Sequence, residues 1–377
     1  MAYRVRPAVV GCAIRPAITE RTRSLEEIIY DISQAALADA GLTIEDIDGI
    51  VVGCNDQFDG RAISVMMASG PTGGVDRDIL STPSSSEHAF ILGALRVASG
   101  QFRTQLVVAW SPTEASSLSE AQRLGADPYF HRALPLDELS SHALQASALS
   151  HVWPNAWIFA ETVAVKNRRH AALAWPDPPA RPRAGPARWP LTERLTTQPV
   201  TGAVAMVLAG QPFVRERAFE APAWLRGMGW ATEAAFLGDR DLTTAPALKE
   251  AARQAYAEAG IADPTAAFDV VEITDATGYA ELIAYDALGL ASRAEIAPRM
   301  AEGWFARGGR LPVNLSGGVI AFNPVFCTGM IRIAEIANQV RGRAGPHQLP
   351  GAKLGLAQAG SGFAMQYQSA IVLGADA

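Results

Sequence analysis

The alternation of hydrophobic and polar positions repeats once along the chain. Residues 24–53 read SLEEIIYDISQAALADAGLTIEDIDGIVVG, which predicts an amphipathic helix ending at Gly41, a short loop and a β-strand. Residues 244–275 read TAPALKEAARQAYAEAGIADPTAAFDVVEITD and predict the same order, with a helix that ends at Gly260. Both glycines stand where the C-cap of a helix favours a left-handed residue. The match in register indicates an internal duplication.

The second part of each repeat also corresponds. Residues 81–101 predict a turn and the helix AFILGALRVASGQ, followed by the strand TQLVVAW. Residues 313–342 predict a glycine-rich turn and an amphipathic helix, followed by two strands joined at residues 360–362. The continuous apolar strands are typical of sheets buried on both faces. We therefore predict an α/β protein built from two β-α-β-α-β halves, residues 1–220 and 221–377.

A long insert, about residues 111–195, lies within the first half. It contains two helical segments, ALQASALSHVW and AWIFAETVAVKNRRHAALAW, followed by the proline-rich stretch WPDPPARPRAGPARWP at residues 175–190. Long insertions in compact domains are often lids or binding loops, and others are plain surface excursions. The sequence leaves both interpretations open.

Composition narrows the functional class. Of the 377 residues 49% are hydrophobic and 19% are charged, which predicts a large core. The net charge of −6 argues against a nucleic-acid-binding face. The chain contains no apolar run near the roughly 18 residues of a membrane span, and no signal peptide is expected. The three cysteines and six histidines show no metal-ligand spacing, so we expect no metal site and a reduced, cytoplasmic protein.

Several segments together resemble the thiolase superfamily, in the branch of sterol-carrier-protein thiolases and bacterial lipid-transfer proteins. They are residues 24–53, AVKNRRHAALAWP, QPVTGAVAMVLAG, VVEITDATGYAELIAYDALGL and NLSGGVIAFNPVFCTGMIRIAEIANQVRG. The last is the most specific, with Asn314, Gly317, Gly318, Pro324, Thr328 and Gly329 in register. The resemblance implies a five-layered α/β/α/β/α thiolase fold, a homodimer and a coenzyme A thioester as ligand.

The resemblance also implies four reactive positions, and all four differ here. The nucleophilic Cys falls on Ser84, or on Pro83 if the register moves by one, in PSSSEHAF. The His of a His-Asp-Ala-Phe-like segment is Thr274, and the His of a Gly-His-Pro segment is Asn323. The C-terminal loop AQAGSG, which contains Ser361, has neither Cys nor His.

The serines of PSSSEHAF permit two interpretations. Ser84 could act as a nucleophile if His88, four residues later, accepted its proton. Ser84 and Glu87 also have the spacing of an S-x-x-E capping box, which favours a purely structural helix start.

The remaining candidates lie in the second half. Cys327 stands at the start of a helix, where a thiolate would be favoured, yet free Cys also packs as a small apolar residue. Asn323 can donate a hydrogen bond to a carbonyl oxygen but cannot act as a base. Gly317, Gly318 and Ser361, in the glycine-rich segments, are the candidate ligand-binding positions. Arg183, Arg188 or Arg194 of the insert could contact coenzyme A phosphates.

Three functional hypotheses follow. The first is a protein that binds an acyl-CoA or related acyl thioester without thiolysis, as a non-catalytic subunit of a larger complex. The second is a retro-aldolase that cleaves a carbon–carbon bond of a CoA thioester with a zinc-ribbon/OB-fold partner, since that reaction needs a base and an oxyanion site but no Cys. The third is an acyltransferase whose nucleophile has moved to Cys327 or Ser84. The sequence does not identify the acyl group.

Overall fold

The computed structural model describes residues 3–18, 22–60, 62–83, 85–113, 117–175 and 188–377. Their strands are β1 (Pro7–Arg15), β2 (Gly49–Gly53), β3 (Asp78–Thr82), β4 (Thr104–Ser111), β5 (Gly202–Gly210), β6 (Ala223–Thr232), β7 (Val270–Glu272), β8 (Leu354–Ser361) and β9 (Tyr367–Gly374).

The helices of the first half and its insert are α1 (Leu25–Ala40), α2 (Asp56–Asp59), α3 (Ser64–Ser69), α4 (Ser86–Ala98), α5 (Leu118–Gly125), α6 (Glu138–Val152), α7 (Ala156–Ala174) and α8 (Gln211–Glu216). Those of the second half are α9 (Pro246–Ala259), α10 (Pro264–Ala267), α11 (Gly278–Ala287), α12 (Arg293–Ala301), α13 (Gly318–Ala321) and α14 (Thr328–Arg341). Helices α1 and α9 end at Gly41 and Gly260, both left-handed, as the sequence predicts.

The sheet topology repeats between the halves. The first half has the order β3-β2-β4-β5-β1, in which β5 runs in the opposite direction to the other four strands. The second half has the order β7-β8-β9-β6, with β9 in the antiparallel place of β5. A parallel bridge between Val271 and Val313 occupies the place that β3 has in the first half. The halves meet where Ala8 and Val9 of β1 pair with β6.

The helices divide the molecule into layers. Helix α1 packs on β1, β4 and β5, whereas α4 packs on β2 and β4. Helix α14 packs on β7 and β8 and contacts α4, while α9 packs on β6 and β9. Three apolar clusters fill the spaces outside the first half, between the halves and outside the second half. The five-layered α/β/α/β/α thiolase fold is therefore confirmed.

The two central helices place their N-termini at the same end of the middle layer. The backbone N–H of Met330, in the first turn of α14, donates to Ser86 Oγ at the first residue of α4 over 3.0 Å. Helix α14 is buried along nearly its whole length, and Arg332 is neutralised within the core by Glu272 at 2.7 Å. This junction fixes the position of the loops that lead into both helices.

The insert packs against the second half through a buried polar contact. On α7, Asn167 Nδ2 donates to Asp275 Oδ2 and to Glu281 Oε2, each over 2.7 Å. Lys166 Nζ pairs with Glu281 Oε1 at 2.9 Å. Arg183 and most of the proline-rich stretch lie outside the described residues. Within the described part, no helix is both long and apolar enough to span a membrane.

Candidate functional site

A cavity of about 310 Å³ opens beside the start of α4. Thr274, Asn323 and Ser361 all line it, although they come from the loop after β7, the loop before α14 and the end of β8. Pro83 and Ser85 line it as well. Ser84 comes between these two residues in the sequence and is outside the described residues. The structure thus brings three of the predicted site positions and the neighbours of the fourth to one cavity.

The insert forms part of the wall. A second cavity of about 190 Å³ adjoins the first and is lined by Glu138 and His142 of α6. Gln122, Glu138 and Asn323 line both cavities, so the two spaces are adjacent. The exposed Arg188 and Arg194 line neither of them.

The backbone around Asn323 is fixed, whereas its side chain is available. The Val200 N–H donates to the Asn323 carbonyl oxygen over 3.0 Å, within a bridge between Pro199 and Asn323. In the described part of the chain, no hydrogen bond engages the Asn323 side-chain amide. An amide of this kind can donate to a carbonyl oxygen of a bound ligand.

Thr274 is held by the neighbouring strand. Its backbone N–H donates to Gln358 Oε1 over 2.9 Å, and its hydroxyl lies 3.4 Å from the Gln358 carbonyl oxygen. Asp275 is completely buried and accepts from the Val319 N–H over 2.5 Å. Burial, with a contribution from Glu281, raises the pKa of Asp275 to about 7. Asp275 therefore supports the loop that carries Asn323, and it does not line either cavity.

The start of α4 differs from the predicted capping box. The helix begins at Ser86 with Ser85 as N-cap, and the Ser85 side chain makes no capping hydrogen bond. A capping box needs its acidic residue at the third helical position, but Glu87 is at the second. The Glu87 carboxylate instead turns inward and accepts from Ser361 Oγ over 3.0 Å. His88 Nδ1 lies 3.8 Å from Glu87 Oε1, with its ring edge-on to Tyr367.

Cys327 lies outside both cavities. Its side chain is completely buried, with Sγ 3.5 Å from the Gly202 carbonyl oxygen. Burial raises its pKa well above the ordinary thiol value, and Asp59 raises it further. The residue precedes α14, yet its burial outweighs the stabilisation that a helix N-terminus gives a thiolate.

Gly317 and Gly318 are explained by packing. A Cβ on Gly317 would lie 2.8 Å from Ala171 Cα, and one on Gly318 would lie 2.6 Å from Asp275 Cγ. Both have positive φ, 98° and 67°, which a side chain would strain. They line neither cavity, but Gly317 lets the loop before Asn323 pass close to α7, and Gly318 lets it pass close to Asp275.

Helix α6 carries a carboxyl–imidazole pair that was not predicted from the sequence. Glu138 Oε1 lies 4.0 Å from His142 Nε2, and Gln122 Nε2 donates to Glu138 Oε2 over 2.7 Å. Burial raises the pKa of Glu138 and lowers that of His142 to about 4, which leaves the imidazole neutral. The i,i+4 spacing in ELSSH was the available signal, but nothing in the sequence placed this helix beside Asn323.

Residues 230–375 match the family described as Thiolase C-terminal domain-like. The second half of the chain therefore resembles the thiolase superfamily in sequence. Human sterol carrier protein 2 is 39% identical over 109 residues, which are 29% of this chain and 20% of that protein. An acetyl-CoA acetyltransferase of Methanothermobacter thermautotrophicus is 32% identical over 157 residues, 41% of this chain and 40% of that enzyme. The chain thus matches about a fifth of the length of the sterol carrier protein.

The fold comparison extends over the whole chain. The structure of the Ltp2–ChsH2(DUF35) aldolase superposes with a TM-score of 0.80 at 23% identity, covering 100% of this chain and 99% of that chain. The chemistry of the cavity is a separate observation. All three cysteines and all six histidines fall within described ranges, and none of them lines the 310 Å³ cavity.

Proposed function

We propose that this thiolase-superfamily chain binds an acyl-CoA or related acyl thioester in the cavity and does not catalyse thiolysis. The observation that carries the proposal is the lining of the 310 Å³ cavity, which joins Thr274, Asn323 and Ser361 beside the start of α4 without a Cys or His. The location resembles a thiolase active site, while the side chains differ in chemistry.

Thiolysis through an acyl-enzyme needs a thiolate and a base that activates it. Among the described residues no Cys lines the cavity, because Cys327 is buried away from it, and Asn323, in the position of the expected His, is a neutral amide that cannot act as the base. A serine in the place of the thiolate is a weak nucleophile without a base that takes its proton. This chemistry supports binding of the thioester in an uncleaved form.

The cavity retains groups that recognise a thioester carbonyl. The Asn323 amide can donate to the carbonyl oxygen from a fixed backbone position. Thr274, Ser361 and the backbone at Ser85 supply further polar contacts. We infer a ligand whose acyl carbonyl lies near Asn323.

Calorimetric titration with an acyl-CoA, together with intact-protein mass spectrometry, tests this proposal. We expect saturable binding, no covalent adduct, and no thiolysis when a 3-ketoacyl-CoA and free CoA are supplied. Asn323→Ala should weaken the binding about tenfold, the effect of losing one hydrogen bond in a closed site. Asn338→Ala, near the far end of α14, is the matched control and should bind normally. Absence of CoA-ester binding would refute the proposal.

A second candidate function is retro-aldol cleavage of a β-hydroxyacyl thioester, favoured by the position of Glu138. This carboxyl lines the same two cavities as Asn323, and burial raises its pKa towards the range useful for proton transfer. Glu138 would take the hydroxyl proton as the bond between the α and β carbons breaks. A ketone or aldehyde would leave, and the thioester enolate, stabilised by Asn323, would take up at its α carbon the proton that Glu138 returns.

The proposal also includes the oligomeric state of the chain and its protein partner. We propose a homodimer, for which the edge strand β3 with its exposed Leu80 offers a pairing surface. The zinc-ribbon/OB-fold partner remains part of the retro-aldol candidate, and the aldolase named above includes a DUF35 component in its name. Light scattering of the purified chain, alone and with such a partner, measures both assemblies.

A further inference from the structure

A buried carboxylate lies directly behind the cavity wall. Glu87 is 1% exposed, and its Oε1 accepts from the hydroxyl of Ser361, which lines the cavity. Its other oxygen, Oε2, is buried and has no hydrogen-bond partner. The carboxylate fits because residue 329 is a glycine, since a Cβ there would lie 2.9 Å from Glu87 Cδ.

The Glu87 carboxyl group lies between the first turns of two helices. It belongs to the first turn of α4, and it approaches Gly329 in the first turn of α14. The N-terminus of a helix carries a partial positive charge, so both helices direct the positive ends of their dipoles towards this group. In the pair with Ser361 the serine hydroxyl donates and the Glu87 oxygen accepts.

The direction of this bond determines what Ser361 offers to a ligand. A hydroxyl has one proton and two lone pairs, and the proton of Ser361 is committed to Glu87. Across the described ranges, no other hydrogen bond involves Ser361 Oγ. Ser361 therefore presents only acceptor capacity to the cavity, which contrasts with the donor capacity of Asn323.

We propose that Glu87 and Ser361 form an acceptor-only subsite that selects a hydroxyl group on the acyl chain of the bound thioester. This inference rests on the proposed function, because it assigns the acyl chain of the same ligand. A hydroxyacyl thioester donates its hydroxyl proton to Ser361 while its carbonyl accepts from Asn323. A ketoacyl thioester places a second acceptor against Ser361, so two sets of lone pairs face each other without a proton between them.

Discrimination of this kind arises because an unmatched polar group in a closed site loses its hydrogen bond with water. We therefore expect the 3-hydroxyacyl-CoA to bind about tenfold or more tightly than the 3-ketoacyl-CoA of equal chain length. Glu87 acts through Ser361 and is a positioning residue, whereas Ser361 contacts the ligand itself.

Calorimetric titration of the full chain with three probes of equal length tests the subsite: acyl-CoA, 3-hydroxyacyl-CoA and 3-ketoacyl-CoA. Ser361→Ala should remove the preference for the hydroxyacyl form. Glu87→Gln should reduce it while keeping the side-chain shape, because an amide can donate to Ser361 and release the serine proton towards the cavity. Ser99→Ala, at the exposed far end of α4, is the matched control and should keep the full preference, because Ser99 lines neither cavity.

The outcomes separate the two proposals. If all three esters bind with equal affinity to the unaltered chain, the subsite is wrong while thioester binding stands. If the Ser361→Ala variant binds all three esters equally more weakly, the serine contacts the CoA portion and the assignment to the acyl hydroxyl is wrong. If no ester binds, the proposed function fails and the subsite fails with it. Circular dichroism and the melting temperature of each variant distinguish lost selection from lost folding.

Discussion

The Glu87 carboxyl group lies against the backbone of Gly329, so that the first turns of the two central helices meet around one buried polar side chain. A Cβ at residue 329 would overlap Glu87 Oε2 and would lie 3.0 Å from Ala359 Cβ. The contact joins α4 of the first half to α14 of the second, and it lies directly behind the cavity wall.

Gly329→Ala should destabilise the protein because the added methyl group has no space. We expect the free energy of unfolding to fall by about 1–3 kcal/mol, the usual cost of overpacking a core. Urea titration measures this fall. Gly70→Ala is the control, because residue 70 has φ −62° and open space around its Cα. In a double-mutant cycle, Glu87→Ala should relieve part of the loss, and strict additivity would contradict the direct contact.

None of the native cysteines should behave as a catalytic thiol. Burial raises the pKa of Cys12 and of Cys54 to about 12, and it also raises the pKa of Cys327 well above the ordinary thiol value. We expect almost no reaction of the native protein with a disulfide reagent at pH 8, and reaction of three thiols after denaturation. A single fast native thiol that disappears in Cys327→Ser would support the relocated-nucleophile hypothesis instead.

An introduced cysteine provides the positive control for that measurement. Ser85 is the N-cap of α4 and lines the cavity, where backbone N–H groups and the helix dipole favour a thiolate. Ser85→Cys should therefore react much faster than any native cysteine. An unreactive Cys at this position would indicate that the start of α4 is closed to small molecules.

The sequence predicted the fold well because its signals are local or repeated. The helix ends at Gly41 and Gly260 depend on glycine at a left-handed position, and the duplication predicted two halves with the same succession of strands and helices. The site was only partly predictable. The family resemblance located Thr274 and Asn323, but it did not locate Glu87 or Glu138. The orientation of Glu87 and the approach of Glu138 depend on packing between distant segments, which neither spacing nor periodicity records.

His170 should make the stability of the protein sensitive to acid. Its Nε2 accepts from the Arg307 N–H over 3.1 Å, so its Nδ1 carries the proton that binds the Asn314 carbonyl oxygen at 3.0 Å. Burial lowers its pKa to about 4, with a contribution from Lys166. The unfolded chain binds a proton near pH 6.5, so this contribution to stability is present above that pH and disappears as the pH falls towards 4.

Denaturant titrations at several pH values measure this dependence. Between pH 7 and pH 4 the wild type should lose on the order of 2 kcal/mol more than His170→Asn, whose amide does not bind a proton in this pH range. His151→Asn, at an exposed position on α6, should follow the wild type. Parallel curves for the wild type and the His170 variant would contradict a neutral, hydrogen-bonded imidazole.

Glu138→Gln separates binding from the second candidate function. The amide preserves the shape beside Gln122 but cannot accept a proton, so acyl-CoA should bind with nearly unchanged affinity. Release of a ketone or aldehyde from a β-hydroxyacyl-CoA should fall by about 10²-fold or more, the usual contribution of a general base. Cleavage requires Glu138 in its ionised form, and burial raises the pKa of this residue. Wild-type cleavage should therefore decline as the pH falls, and the decline should begin at a higher pH than an ordinary carboxyl would give. Glu120→Gln on α5 is the matched control, and equal cleavage by the wild type and Glu138→Gln would exclude this carboxyl as the base.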